Sequence, residues 1–263
     1  MEPLHAVLIL LGGLWAGGIN SVVGSGTLVT FPVLVALGYP PVTASVSNAM
    51  GLIAGGAAGV WGYRRELEGL GGQLLRLLPA SVLGAVTGAW LLLHLPESVF
   101  GVAAPFLIVI ALLFVVFQPR LQRWVRRRAE RADETDGRRT SHAVPLTLLV
   151  YFAGVYGGYF VAAQGILLVG ILGVFMAGTI QQANAMKNVL VLGVNVVAGI
   201  SYMLFAFSRI SWPAVGLIAV SSLVGGYLGS TFGRRLPPNI LRAIIIVLGL
   251  VALWTMVSKL VAA

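Results

Sequence analysis

The chain has 263 residues, of which 58% are apolar and only 10% charged, with no cysteine and a net charge of +9. Soluble domains carry about 25% charged residues, so a soluble globule is excluded, and the lack of thiols excludes disulfides, thiol catalysis and cysteine-based metal sites. Eight of the 17 basic residues fall between Arg120 and Arg139, a pattern of positive-inside anchoring and not of a nucleic-acid surface.

Taken in order, the first apolar stretch, 4–37, is too long for one straight crossing and is interrupted at Gly24-Ser25-Gly26-Thr27. The start, Met1-Glu2-Pro3, has no basic n-region and is expected to be a retained membrane segment. Helices are predicted over 42–63, 74–93 and 99–117, each close to the roughly 20 residues that cross a bilayer core. A basic segment follows, with Glu130, Asp133, Glu134 and Asp136 mixed in, and reads as a cytoplasmic loop. The second half opens with a helix over 144–160, breaks near Ala162-Ala163-Gln164-Gly165, and resumes over 166–177. Three helices close the chain, over 182–207, 212–233 and 239–257.

The halves resemble each other. Ala80-Ser81-Val82-Leu83-Gly84 with Gly88 aligns with Ser221-Ser222-Leu223-Val224-Gly225 with Gly229, and Leu95-Pro96 falls on Leu236-Pro237. Asn48-Ala49-Met50 falls on Asn184-Ala185-Met186, with a broken segment ahead of each. This predicts an all-α polytopic membrane protein built by duplication: a first membrane repeat over 1–117, a basic cytoplasmic linker over 118–143 and a second membrane repeat over 144–263. Each repeat would be a broken or re-entrant helix pair followed by three transmembrane helices. With the basic segment inside, re-entrant pairs put Arg234, Arg235 and Arg242 inside and Arg209 and Lys259 outside, whereas four full crossings per half reverse this. The positive-inside rule therefore favours inverted repeats, by a margin of one basic charge.

Lys187 is the only Asp, Glu, Lys or Arg between Arg139 and Arg209. An ammonium at membrane depth costs about 2.5–3.5 kcal/mol even on the lenient insertion scale, which makes it a functional-site candidate whose ligand is negative. The alternative is a lysine snorkelling from near a helix end. Gly-interrupted segments at matching places in two repeats point to a binding site near the bilayer midplane. Helix fragments beginning near Thr27 and Ile166 would offer positive dipole ends. Asn20, Ser25, Thr27, Ser47, Asn48, Gln164, Asn184 and Asn188 could donate to an oxyanion, and Gly24, Gly26 and Gly165 would bring backbone amides close. The competing reading makes Asn20, Ser47 and Asn195 ordinary interhelical hydrogen bonders and Gly24 and Gly26 close-packing residues.

Several stretches resemble the sulfite exporter TauE/SafE family of membrane permeases. In the first half they are Gly18-Ile19-Asn20, Val23-Gly24-Ser25-Gly26-Thr27-Leu28 with Phe31-Pro32, Gly38-Tyr39-Pro40-Pro41 and Ser47-Asn48. In the second they are Gln182-Ala183-Asn184-Ala185-Met186-Lys187-Asn188, Gly225-Gly226-Tyr227-Leu228-Gly229 and Arg234-Arg235-Leu236-Pro237-Pro238. The resemblance covers nearly the whole chain and implies export or exchange of small sulfur-containing anions such as sulfite or organosulfonates. Many relatives carry a basic residue beside the first-half asparagine; here Ala49 follows Asn48, which shifts the weight to Lys187.

No Asp or Glu lies within a predicted membrane segment, so a carboxylate proton relay or sodium site is not expected. If protons are coupled, the substrate carries them or Lys187 titrates. Otherwise the inside-negative potential drives anion efflux, at about 2.3 kcal/mol per charge per 100 mV. No Walker-type or G-x-S-x-G motif appears, so no enzyme activity, cofactor or metal is expected. The expectation is a secondary transporter of the cell inner (plasma) membrane, working by alternating access, with the lipid bilayer and a small anion as its partners and a homo-oligomer left open. A passive anion channel on the same scaffold is the alternative.

Overall fold

Helix α1 (Pro3–Val22) ends where Gly24 turns the backbone to φ +86°, a left-handed conformation that costs glycine little. The chain then folds back. Helix α2 (Thr27–Ala36) lies antiparallel on α1, with Gly26 against Ala16 and Asn20, and Thr30 and Val33 against Gly12. The computed structural model describes residues 2–134, 143–176, 179–232 and 238–262, and among these there is no strand.

Next come α3 (Pro41–Gly62), a 3-10 turn at Arg64–Leu67, α4 (Gly71–His94) and α5 (Glu97–Glu134). The second half contains α6 (Ala143–Tyr159), α7 (Gln164–Phe175), α8 (Ile180–Phe205), a 3-10 turn at Phe207–Arg209, α9 (Trp212–Phe232) and α10 (Pro238–Ala262). Among the described residues five spans, Pro3–Val22, Gly71–His94, Glu97–Arg120, Ile180–Phe205 and Trp212–Phe232, are long and apolar enough to cross a membrane. Their outer faces carry Leu83, Phe106, Leu204 and Tyr227 in the open, an apolar exterior suited to lipid. Helix α3 is long enough to cross but is not among the apolar five. Its Ser45, Ser47 and Asn48 are tolerated because they are buried against other helices.

Small residues set the packing. Gly13 meets Ile218 and Ser221, Gly17 meets Ser222 and Gly226, and Gly18 meets Gly225, so α1 and α9 run parallel at backbone contact. Helix α3 joins them in the same sense, with Gly51 on Ile218, Gly55 on Ser222 and Gly62 on Ser230. A second seam matches it: Gly84 meets Tyr151 and Val155, and Gly88 meets Val155 and Tyr159, so α4 and α6 run parallel. Helices α2 and α10 pack together, as do α7 and α5. Helix α8 lies antiparallel to α3, with Leu192 on Gly56 and Met50 and Ile53 on Gly199.

Several boundaries differ from the sequence reading by a few residues, α4 for example starting at Gly71, and two of the differences bear on the membrane exit and the second break. Helix α5 does not stop at Phe117; it continues through the arginine-rich stretch to Glu134, because that stretch is made of good helix formers even though its charges place it outside lipid. Helix α7 starts two residues earlier than expected, at Gln164. The second break carries Val161 at φ 65° and Ala163 at φ 59°, left-handed conformations held by non-glycine residues. The later part of the basic linker, including Arg138 and Arg139, and the Arg234-Arg235-Leu236-Pro237 string lie outside the described residues.

Candidate functional site

A helix leaves its last four carbonyls without partners of its own. In α1 these belong to Ile19, Asn20, Ser21 and Val22, and all four are satisfied. The Ile19 carbonyl accepts from the amides of Val23 at 2.7 Å and Gly24 at 3.1 Å. The other three accept from side chains of α8. Lys187 Nζ donates to the Asn20 carbonyl at 3.0 Å and the Ser21 carbonyl at 3.3 Å. Asn188 Nδ2 donates to Ser21 at 3.4 Å and Asn184 Nδ2 to Val22 at 3.3 Å.

Lys187 is 0% exposed, so its amine does not snorkel to the rim. A buried ammonium needs partners to offset lost hydration, and here it has two carbonyls and the negative end of the α1 dipole. Helix α8 presents these side chains because Thr179 caps its start. Thr179 Oγ1 accepts from the Gln182 amide at 3.2 Å, and Gln182 Oε1 accepts from the Thr179 amide at 2.9 Å. Lys187 lies about 12 Å along α8 from this cap and about 27 Å from the far end, at 1.5 Å per residue.

The two breaks touch. The Gly165 amide donates to the Gly24 carbonyl at 3.1 Å, and a methyl group added at Gly24 would come within 2.6 Å of the Gly165 Cα. Phe31 of α2 stacks edge-on against Phe160 of the second break, with ring centres 5.6 Å apart. The starts of α2 and α7 therefore converge, and both bring positive dipole ends to one place. Beside this contact, the Ser25 hydroxyl and both terminal atoms of Gln164 are buried, with no hydrogen-bond partner among the described residues. The Oδ1 of Asn184 is in the same condition.

The structure thus brings Lys187, Asn184, Asn188, Asn20, Gly24, Ser25, Gln164 and Gly165 around one crossing. Asn20 contributes its backbone carbonyl rather than its side chain. Gly26 lets α2 lie against α1, where an added methyl group would sit 2.2 Å from the Ala16 carbonyl oxygen. Asn48 and Thr27 serve each other instead of the crossing: Asn48 Nδ2 donates to Thr27 Oγ1 at 3.2 Å, and Asn48 Oδ1 accepts from Thr30. Ser47 points elsewhere, accepting from the Ser211 amide at 2.9 Å and tying α3 to the α8–α9 connection. Several other buried side chains lack a partner among the described residues and were not predicted as ligands, among them Asn195 and Tyr156. Asn195 is buried on α8 with neither amide atom partnered, and the Tyr156 hydroxyl near the end of α6 is buried and unpartnered. The polar residue type in an apolar helix was the available signal for Asn195; nothing in the sequence distinguished Tyr156.

Comparison with known proteins adds an independent finding. The family model "Sulfite exporter TauE/SafE" matches residues 9–256. "Probable membrane transporter protein YfcA" of Escherichia coli (strain K12) is 27% identical over 245 residues, covering 90% of this chain and 82% of that protein. "Probable membrane transporter protein ORF9" of Sinorhizobium sp is 27% identical over 237 residues, covering 89% of this chain and 85% of its own. "Probable membrane transporter protein" of Haemophilus influenzae is 24% identical over 247 residues, covering 93% and 91%. No solved structure matches.

Proposed function

We propose a substrate and a mechanism for this chain, which belongs to the sulfite exporter TauE/SafE family and is a membrane transporter. The substrate is a small sulfur-containing anion, sulfite or an organosulfonate, and it leaves the cell by alternating access around the crossing of the two breaks. The observation that carries this reading is the pair of buried, unpartnered side chains, Ser25 and Gln164, at the converging starts of α2 and α7. An anion between them would replace its hydration with those groups, with terminal amides and with two positive dipole ends. Lys187 supplies the net charge that favours an anion. It also holds the end of α1, so the cation is tied directly to the first break.

Two inverted repeats would give alternating access a symmetric origin. Paired packing supports this: α1 lies on α9 as α6 lies on α4, and α2 lies on α10 as α7 lies on α5. With five helices in each half, the second half begins on the membrane face opposite to the first. Export is electrically downhill for an anion at an inside-negative potential.

The test combines binding and transport. In detergent, sulfite at 100-fold its Kd should stabilise the purified protein by about 2.7 kcal/mol. Ser25→Ala and Gln164→Met should remove that stabilisation. In proteoliposomes, Lys187→Met should cut sulfite counterflow by about tenfold or more, since a buried charge-assisted interaction is worth at least about 1.5 kcal/mol. Wild-type counterflow by Lys187→Met would overturn the role given to the ammonium. Continuous single-channel currents in place of counterflow would make the protein a channel.

A further inference from the structure

Helix α5 outlasts its own membrane span. The apolar part closes at Arg120, yet the helix runs on to Glu134, a further length of about 21 Å at 1.5 Å per residue. The sequence of this extension is two-sided. Leu121, Trp124, Val125, Ala129 and Ala132 recur at three- and four-residue spacing and so share one stripe of the helix. By register, Arg120, Arg127, Arg128 and Arg131 border that stripe on the Trp124 side, while Glu130, Asp133 and Glu134 fall away from it. Six arginines stand against three acids between Arg120 and Glu134. An apolar stripe with a basic border, and acids on the far side, is the pattern of a helix that lies in the interface of an anionic bilayer.

Pro119 allows the change of direction. It has no N–H for the Val115 carbonyl, so the helical ladder is open one residue before the span closes, and the helix can bend there. The arginines around this exit already sit at headgroup level. Arg120 lies over the exposed Phe117 ring at 5.4 Å, and Arg64, on the same face of the molecule, lies over the exposed Trp61 ring at 4.6 Å. Arg123 Nε donates to the Pro119 carbonyl at 3.3 Å and Arg64 Nη1 to the Trp61 carbonyl at 3.0 Å. Each guanidinium is thus steadied by an aromatic ring or a backbone carbonyl and keeps further N–H groups for phosphate oxygens. Arg65 and Arg76 add exposed charge on this face.

We propose that the end of α5, from Leu121 to Glu134, docks on the membrane surface and recognises anionic phospholipid headgroups. The stripe of Leu121, Trp124, Val125, Ala129 and Ala132 enters the boundary between headgroups and acyl chains, and the bordering arginines meet lipid phosphates. The surface is selective for leaflet charge and independent of the anion that the protein carries.

The experiment places a nitroxide on the full-length, cysteine-free chain at Ala132→Cys or Glu130→Cys and reads depth from oxygen against nickel-chelate accessibility. Each variant is reconstituted in nanodiscs of phosphatidylcholine alone or mixed with phosphatidylglycerol, so any loss of fold is common to both lipids. The label at 132, about 18 Å of helix beyond Arg120, should be lipid-immersed with phosphatidylglycerol and aqueous without it. The label at 130 should stay aqueous in both. Raising the salt to 1 M, where the Debye length is about 3 Å, should release the label at 132. In the Ala132→Cys protein, each of Arg127→Gln, Arg128→Gln and Arg131→Gln should lower the docked-to-undocked ratio about fivefold. A label at 132 with the same depth in both lipids, aqueous or immersed, would overturn the recognition of anionic lipid. Equal immersion of the labels at 130 and 132 would overturn the assigned face.

Discussion

Gly24 and Gly165 meet because neither has a side chain. A methyl group at Gly165 would lie 2.5 Å from the Gly24 Cα, and one at Gly24 would lie 2.6 Å from the Gly165 Cα. Gly24→Ala adds this clash to the strain of φ +86°. Gly38 separates the two effects, since it has φ +89° but nothing within 4 Å of an added methyl group. Gly38→Ala should therefore cost only the left-handed strain, about 1–2 kcal/mol. Gly24→Ala should cost about 1–3 kcal/mol more for overpacking and should abolish ligand stabilisation, which Gly38→Ala leaves intact. Melting curves with and without sulfite check both, and equal effects of the two substitutions would show that the breaks need not touch. The importance of Lys187 was legible because it is a lone charge in apolar sequence. Its partners were not legible, since backbone carbonyls of α1 carry no residue signature. Ser47 and Asn48 were read as ligands because donors look alike in sequence; only geometry assigns Ser47 to the Ser211 amide and Asn48 to Thr27 and Thr30.

Helix identities followed from apolar runs punctuated by glycine and proline, so nearly every element lies within a few residues of its expected place. The exception, α5, had its membrane exit read as a helix end. Charge density marks where lipid stops but does not stop a helix rich in Arg, Ala and Glu. Which helices pair was harder to read, because Gly-rich faces in lipid fit many partners. The two seams nevertheless use one device. A methyl group at Gly225 would sit 2.0 Å from the Leu14 carbonyl oxygen on α1, and one at Gly88 would sit 2.1 Å from the Val155 carbonyl oxygen on α6. Backbone cannot yield as a flexible side chain can. Gly88→Ala and Gly225→Ala should each destabilise by about 1–3 kcal/mol. The sites share no partner, so the double substitution should lower stability by nearly the sum, within about 0.5 kcal/mol. Thermal or denaturant unfolding of the three variants measures this, and a double no worse than either single would mean the seams are one cooperative unit.

Among the described residues the arrangement of charges follows from helix direction. The compact connection Tyr63–Leu70 reverses the chain, so α3 ends and α4 begins at one face, with Arg64 and Arg65 exposed there. Helix α5 runs back to that face before reaching Arg120 and Arg123. At the other face, Arg209 after α8 pairs with Glu97 at the start of α5 at 3.5 Å, which agrees with α8 running against α3. Among the described residues the basic excess thus gathers at the Arg64 face, which the arrangement proposed above would place in the cytoplasm by the positive-inside rule. The sequence allowed two arrangements separated by one charge, and the inverted one is the arrangement proposed above. The chain has no cysteine, so single introduced thiols report sidedness without background. Ser208→Cys, beside the Glu97–Arg209 pair, should react in intact cells with a membrane-impermeant maleimide. Glu68→Cys, in the opposite connection, should react only after the membrane is opened. If both thiols label in intact cells, or Glu68→Cys alone does, the inverted arrangement fails, and with it the symmetric route by which the crossing would open to either side.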